Sequence, residues 1–322
     1  MNEDESQLQS IAAASAMPAG PLPAPALAGP LRVSVLEETL RDEARARDIP
    51  LRVYLPEGAG PFPLIVFSHG LGSSRAGYPQ LAQSWASHGY AVALPTHAGS
   101  DGAIFQKLRS PTAVMRAALA DTKNWEDRPR DVSCVLDALA QARRGLAALE
   151  GKLDLARVGV GGHSFGAWTC AAVAGARIIF PGESAARPLA DPRPRAFLAM
   201  SPTVYGERGQ SDGSWASIAR PFLAMTGTED HPLAGGNYEL RTRPFRDLPP
   251  ADKWLVVIAG AEHLTFSGGR PFKKVSPAME RVIEEASLAF WDAELNGDAR
   301  AKALLQPAAL EREGIRVQVE TR

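Results

Sequence analysis

The chain has 322 residues, of which 45% are hydrophobic and 22% charged, and its formal net charge is −1. That length can build a large buried core, and the composition is ordinary for a globular protein in water. The balanced charge leaves no field to draw nucleic acid or anionic lipid, and no apolar run approaches the roughly 20 residues of a membrane span.

The amino terminus begins Met1-Asn2-Glu3-Asp4-Glu5, without the cationic region of a secretory signal, and runs on rich in Ala and Pro. Residues 1–30 therefore read as a flexible arm ahead of one catalytic domain over 31–322. The compartment stays open, with cytoplasmic favoured over secreted or periplasmic. Residues 31–36 and 51–55 alternate like edge strands, with 41–50 between them as a charged connection. Short, nearly continuous apolar runs follow at 64–67, 90–94, 158–160, 196–200, 222–225 and 254–258, a pattern of parallel strands covered on both faces. Helical periodicity falls between them, at 79–87, 130–149, after Ser164, and at 277–295. Strand and helix alternate, so the fold class is α/β, a mostly parallel doubly wound sheet with helices on both faces. Cys134 and Cys170 fall in predicted helices and read as buried thiols rather than as a disulfide framework.

Three segments exceed the minimal alternation: 98–129, 202–220 and 231–250. Each begins after the carboxyl end of a predicted strand, the edge where open α/β sheets bind ligands, so they read as pocket-forming insertions.

Gly162-His163-Ser164-Phe165-Gly166 lies between the strand at 158–160 and a helix-prone run, so Ser164 sits where a strand turns sharply into a helix. This is the setting of a nucleophile elbow, in which flanking glycines tolerate crowding that a Cβ would not. A serine hydroxyl needs a histidine to take its proton, and the histidine needs a carboxylate to orient it. Of the histidines after Ser164, His263 follows the strongest late strand, at the same sheet edge, and is read as the general base. Gly227-Thr228-Glu229-Asp230 places two carboxylates at the neighbouring strand end. Asp230 is read as the orienting acid, with Glu229 as the alternative. The position after Met200 offers Ser201-Pro202 and no carboxylate. Oxyanion donors are assigned to the amide of Phe165 and, in the loop Ser68-His69-Gly70-Leu71-Gly72, to that of Leu71.

Among other residues, His69 and His163 read as turn-stabilising hydrogen-bonders. Arg128 and Asp131 read as an ion pair at a helix start. His97 and Asp101 are a weak metal pair lacking a third ligand. Trp125, Trp168, Phe105, Trp215 and Phe266 are aromatic and as ready to pack a core as to line a pocket. Gly70, Trp168 and Phe266 are carried forward as tentative substrate contacts.

His69-Gly70-Leu71-Gly72, Ser87-His88-Gly89-Tyr90, Trp125 to Arg128 with Asp131, the Gly162 to Ala167 elbow, Gly227 to Asp230 and Gly260-Ala261-Glu262-His263 together resemble a family. It is the bacterial "predicted dienelactone hydrolase" group of α/β-hydrolases, which is similar to platelet-activating-factor acetylhydrolases and more distantly to cutinase-like polyester hydrolases. The resemblance spans about residues 42–291 and implies oxyanion amides at Leu71 and Phe165. Two departures stand out. Dienelactone hydrolases use a cysteine nucleophile where this chain has Ser164, and the acetylhydrolases place their acid where this chain has Ser201-Pro202. The expectation is a serine esterase without cofactor or metal, acting on a small-molecule or polymeric ester, with small or medium acyl groups favoured because no long apolar lid helix is visible. The alternatives are a polyester hydrolase, an amidase or peptidase, and a noncatalytic binding protein on the same fold. The oligomeric state is not indicated.

Overall fold

The computed structural model describes residues 27–107, 110–141, 145–233, 235–270 and 273–322, apart from the side chains of 107, 270 and 273. The strands of the main sheet are β1 (Val33–Asp42), β2 (Arg47–Pro56), β3 (Phe62–Ser68), β4 (Ala91–Pro95), β5 (Leu153–His163), β6 (Ala196–Met200), β7 (Phe222–Glu229), β8 (Lys253–Glu262) and β9 (Val317–Thr321). Their spatial order is β1-β2-β4-β3-β5-β6-β7-β8-β9. Pairing from β4 through β8 is parallel, while β1, β2 and β9 add antiparallel strands at the two edges.

The strand period of two divides each strand's side chains between the faces. Leu64 and Val66 of β3 enter one apolar cluster, and Ile65 and Phe67 enter the other. Helices α1 (Pro79–Ser87), α2 (Pro111–Ala120), α3 (Thr122–Ala140), α4 (Phe165–Ala174) and α5 (Pro277–Leu295) supply the covering layers. Val132, Val135 and Leu136 of α3 join the Leu64 cluster together with α4, whereas Trp85 of α1 and Phe290 and Trp291 of α5 join the Phe67 cluster. With helices on both faces of a mostly parallel sheet, the expected fold class holds. No helix among the described residues is long and apolar enough to cross a membrane.

Several boundaries differ from expectation. The supposed charged connection at 41–50 is largely strand, because Arg41 and Asp48 face each other across the β1–β2 ladder and bond at 2.9 Å. The helix expected at 130–149 begins instead at Thr122, where the Asp121 side chain accepts the Lys123 N–H, and carries Pro129 inside it. Helix α2, inside the first insertion, and β9 were not anticipated. Most of the expected amino-terminal arm, residues 1–26, lies outside the described residues. Two of its last four residues are bonded to the body: the Leu27 N–H donates to Glu284 at 2.6 Å, and the Gly29 N–H to Ser87 Oγ at 2.8 Å.

Trp85 is 1% exposed, packs edge-on against Phe67 and Trp291, and donates its indole N–H to Ser287 Oγ at 2.9 Å. Trp85→Ala is expected to lower stability by about 3–5 kcal/mol, read as a shifted urea midpoint. A loss below about 1 kcal/mol would show that this α1–α5 seam does not close the face.

Candidate active site

The turn between β5 and α4 carries the first functional side chain. Ser164 adopts φ 56° and ψ −115°, a conformation that L side chains occupy only under constraint. The constraint is crowding. A Cβ on Gly162 would lie 2.2 Å from the Gly166 carbonyl oxygen, and one on Gly166 would lie 1.8 Å from that of Ser68. The Ser164 N–H donates to Met200 O of β6 at 2.9 Å and its carbonyl accepts the Trp168 N–H at 3.1 Å, so its backbone is tied to sheet and helix together.

His263 and Asp230 come to this serine from the ends of β8 and β7. Nε2 of His263 lies 2.9 Å from Ser164 Oγ, and Nδ1 lies 2.9 Å from Asp230 Oδ1. With Nδ1–H donating to the carboxylate, Nε2 keeps a lone pair for the serine proton. Asp230 is fully buried. Burial alone would raise its pKa, but the Arg241 guanidinium and His263 hold it well below the usual carboxylate range. Arg241 Nε is 2.8 Å from Asp230 Oδ1, and Thr226 Oγ donates to Oδ2 at 2.9 Å. His263 lies below the ordinary histidine pKa through burial, which Asp230 opposes and the Arg241 and Arg208 charges reinforce. Glu229, the alternative acid, has a 57% exposed side chain 3.5 Å from His231 and is turned away from this string.

The two nominated amides have no hydrogen-bond partner among the described residues. Phe165 is the first residue of α4, where a helix N–H has no intrahelical acceptor, and it finds no partner among the described residues. On the facing loop, the Gly70 N–H donates to Tyr78 Oη at 2.9 Å and the Gly72 N–H to Ser100 O at 2.8 Å. The Leu71 N–H between them has no partner among the described residues.

A layer of buried polar side chains holds these loops, and most of it was not read from the sequence. Tyr78 Oη accepts from Gly70 and donates to His163 Nδ1 at 2.9 Å, and His163 Nε2–H donates to the His263 carbonyl at 2.9 Å. His69 Nδ1–H donates to Gly70 O at 2.6 Å while Nε2 accepts the His97 N–H at 3.0 Å. The turn-stabilising parts expected of His69 and His163 are thus met by specific bonds. Arg128 Nε donates to Thr169 Oγ at 3.0 Å, Nη1 to Ser100 Oγ at 2.8 Å, and Nη2 to Ser68 Oγ and His69 O.

Asp131 is not its ion-pair partner, and neither residue starts a helix: both lie inside α3, where Asp131 meets Arg45, Arg47 and His97. His97 joins Asp131 at 2.9 Å to Ser68 Oγ at 2.9 Å, a second serine–histidine–aspartate string whose side chains are all wholly buried. Both His97 ring nitrogens are engaged, which removes it from the weak metal pairing with Asp101.

The tentative substrate contacts need correction. Trp168 is 0% exposed, because its ring packs beside Trp125 of α3 and Phe165 and its indole N–H is taken by Arg208 O. Phe266 packs beside His163 within the cluster under α1 and α5. The Gly70 N–H is taken by Tyr78. Arg241, from the third insertion, is the support that spacing could not reveal, since its partners are backbone carbonyls of Asp230, Pro202 and His231.

A family model described as "Alpha/beta hydrolase family" matches residues 65–318. Platelet-activating factor acetylhydrolase of Cavia porcellus is 28% identical over 273 residues, covering 71% of this chain. The chain spans just over half of that relative, 56% of its length. The match agrees with the acetylhydrolase-like resemblance carried by the motifs.

His69, His97 and His163 each use one ring nitrogen as an acceptor, so protonation breaks a bond, and burial first of all holds each pKa well below the ordinary value. The unfolded chain binds these protons near pH 6.5, before the folded chain does, so stability is full above that pH and falls as the pH drops through it. The expected slope is about 1.4 kcal/mol per pH unit for each histidine, read from urea midpoints between pH 7.5 and about 5. A flat profile would show that these rings protonate in place.

Proposed function

The chain belongs to the alpha/beta hydrolase family, and from that premise we propose that it is a serine hydrolase of carboxylic esters. The observation that carries this reading is the continuous string Ser164–His263–Asp230, bonded at 2.9 Å in both links beside two unpartnered amides. Ser164 Oγ attacks the acyl carbon while His263 Nε2 takes its proton, and the carbonyl electron pair moves onto the oxygen between the Leu71 and Phe165 N–H groups. Asp230 accepts the Nδ1–H throughout and stabilises the imidazolium, its charge kept by Arg241. Collapse of the adduct expels the alcohol oxygen, which takes the proton from Nε2 and leaves an acyl-serine. Water, deprotonated by the same nitrogen, then releases the acid. The resemblance to an acetylhydrolase favours esters over amides as substrates.

A fluorophosphonate is expected to label the folded chain at Ser164, and His263→Ala to lower kcat by several orders of magnitude, about the scale known for triad members. Labelling elsewhere, or only a mild loss in His263→Ala, would sink the reading. The base must be unprotonated, so kcat/KM falls on the acid side as His263 takes a proton. Because its pKa is depressed, the midpoint of that limb is expected below the ordinary histidine value of about 6.5, measured as a pH–rate profile on a soluble ester. A midpoint above about 7 would assign the limb to another group.

A further inference from the structure

Three guanidinium groups lie beside Phe165 and Asp230, and two of them are fully engaged. Every nitrogen of Arg128 and of Arg241 donates to a named oxygen. Arg208 differs. Its Nη1 donates to Thr203 Oγ and to Glu207 Oε2, both at 3.2 Å. Its Nε is buried without a partner, and Nη2 has none among the described residues. The unpartnered side is therefore the Nε–Nη2 edge, the two-pronged face of a guanidinium that matches the two oxygens of a carboxylate.

The position of this edge is built. Arg208 has φ 48°, and the loop is held at its own carbonyl and at the next: Trp168 Nε1–H donates to Arg208 O at 3.0 Å, and the Ile179 N–H donates to Gly209 O at 3.0 Å. The guanidinium carbon stands 5.3 Å from the centre of the Phe165 ring, the residue next to the nucleophile, whose ring Arg128 also approaches at 4.4 Å. Thr203, its hydroxyl partner, follows β6 by three positions, and β6 ends at Met200, the acceptor of the Ser164 N–H. Its charge is felt at His263. The Arg208 side chain is 14% exposed, so it stands at the boundary between solvent and core rather than free in water. A desolvated cation with an unfilled bidentate edge is costly to hold empty, and Glu207, bonded only at Nη1, does not fill it.

We propose that Arg208 is an anion-recognition residue of the active site, and that the chain acts on esters whose acyl or alcohol part carries a carboxylate. This rests on the serine hydrolase reading above. The carboxylate docks on the Nε–Nη2 edge while the ester carbonyl sits between Ser164 and the two amides. Trp168, nominated from the sequence as a wall, acts one step back: it holds the loop from which the arginine projects.

The test compares matched esters on the full chain: 4-nitrophenyl hydrogen adipate against 4-nitrophenyl hexanoate, and 4-butyryloxybenzoate against its methyl ester. In at least one pair the charged ester is expected to have the higher kcat/KM by about tenfold or more, the scale of one charged hydrogen-bonded pair. Arg208→Met is expected to collapse that ratio, Arg208→Lys to restore part of it, and Arg208→Met to move the acid limb of the pH profile upward by removing a cation that opposes protonation of His263. If the variants do not fold, competitive inhibition of the native chain by adipate, stronger than by its dimethyl ester, carries the same information. Neutral esters preferred in both pairs by a chain that hydrolyses them, with no adipate inhibition, would overturn the proposal and leave the hydrolase reading standing. A charged-ester preference that survives in Arg208→Met would overturn it too. Failure of every ester together with failure of a fluorophosphonate to label Ser164 would remove both.

Discussion

The contact on which the site depends is the approach of Gly166 to the Ser68 carbonyl, so close that no side-chain atom fits between them. It brings the first turn of α4 against the loop that follows β3. Ser164 is left with a backbone conformation that only the surrounding bonds to Met200 and Trp168 make tenable. Strain of this kind persists where the structure over-determines a residue, and here the sheet, the helix and the loop all do so.

Two serine–histidine–aspartate strings with nearly the same bond lengths occupy this region. Ser164–His263–Asp230 opens at a partly exposed hydroxyl, whereas Ser68–His97–Asp131 is closed on every side and has Arg128 donating to the same serine oxygen. Identical geometry thus serves two purposes. In the first the histidine lone pair faces a hydroxyl that a ligand can reach, and in the second the string pins the ends of β3 and β4 to α3. Burial of the second string is tolerable because each of its side chains finds a partner, and a satisfied polar network specifies one arrangement of the loops it joins.

Charge is distributed around the serine with the same economy. Arg241 keeps Asp230 ionised although it is wholly buried, Arg128 fastens the loop after β3, and Arg208 carries an unpartnered edge. All three come from helices or insertions beyond the strand ends. The scaffold of parallel strands supplies position, and the segments between strands supply the electrostatics.

Local sequence determined the alternation of strands and helices, because strand period and helix period are properties of a few consecutive residues. It also determined Ser164, whose glycine spacing reports a steric requirement within five positions, and it narrowed the base and the acid to residues at strand ends. Other features were settled only by tertiary structure. That Asp230 rather than Glu229 bonds His263 is a matter of which neighbour points inward at the end of β7. Trp168 reads alike as a wall or as core, until α3 and the loop at Arg208 are seen to cover it. The supports from Arg128, Arg241, Tyr78 and His97 join residues far apart in the chain, and no short window of sequence contains both ends of such a bond. Periodicity is written locally, while partnership depends on which elements the fold brings within hydrogen-bonding distance.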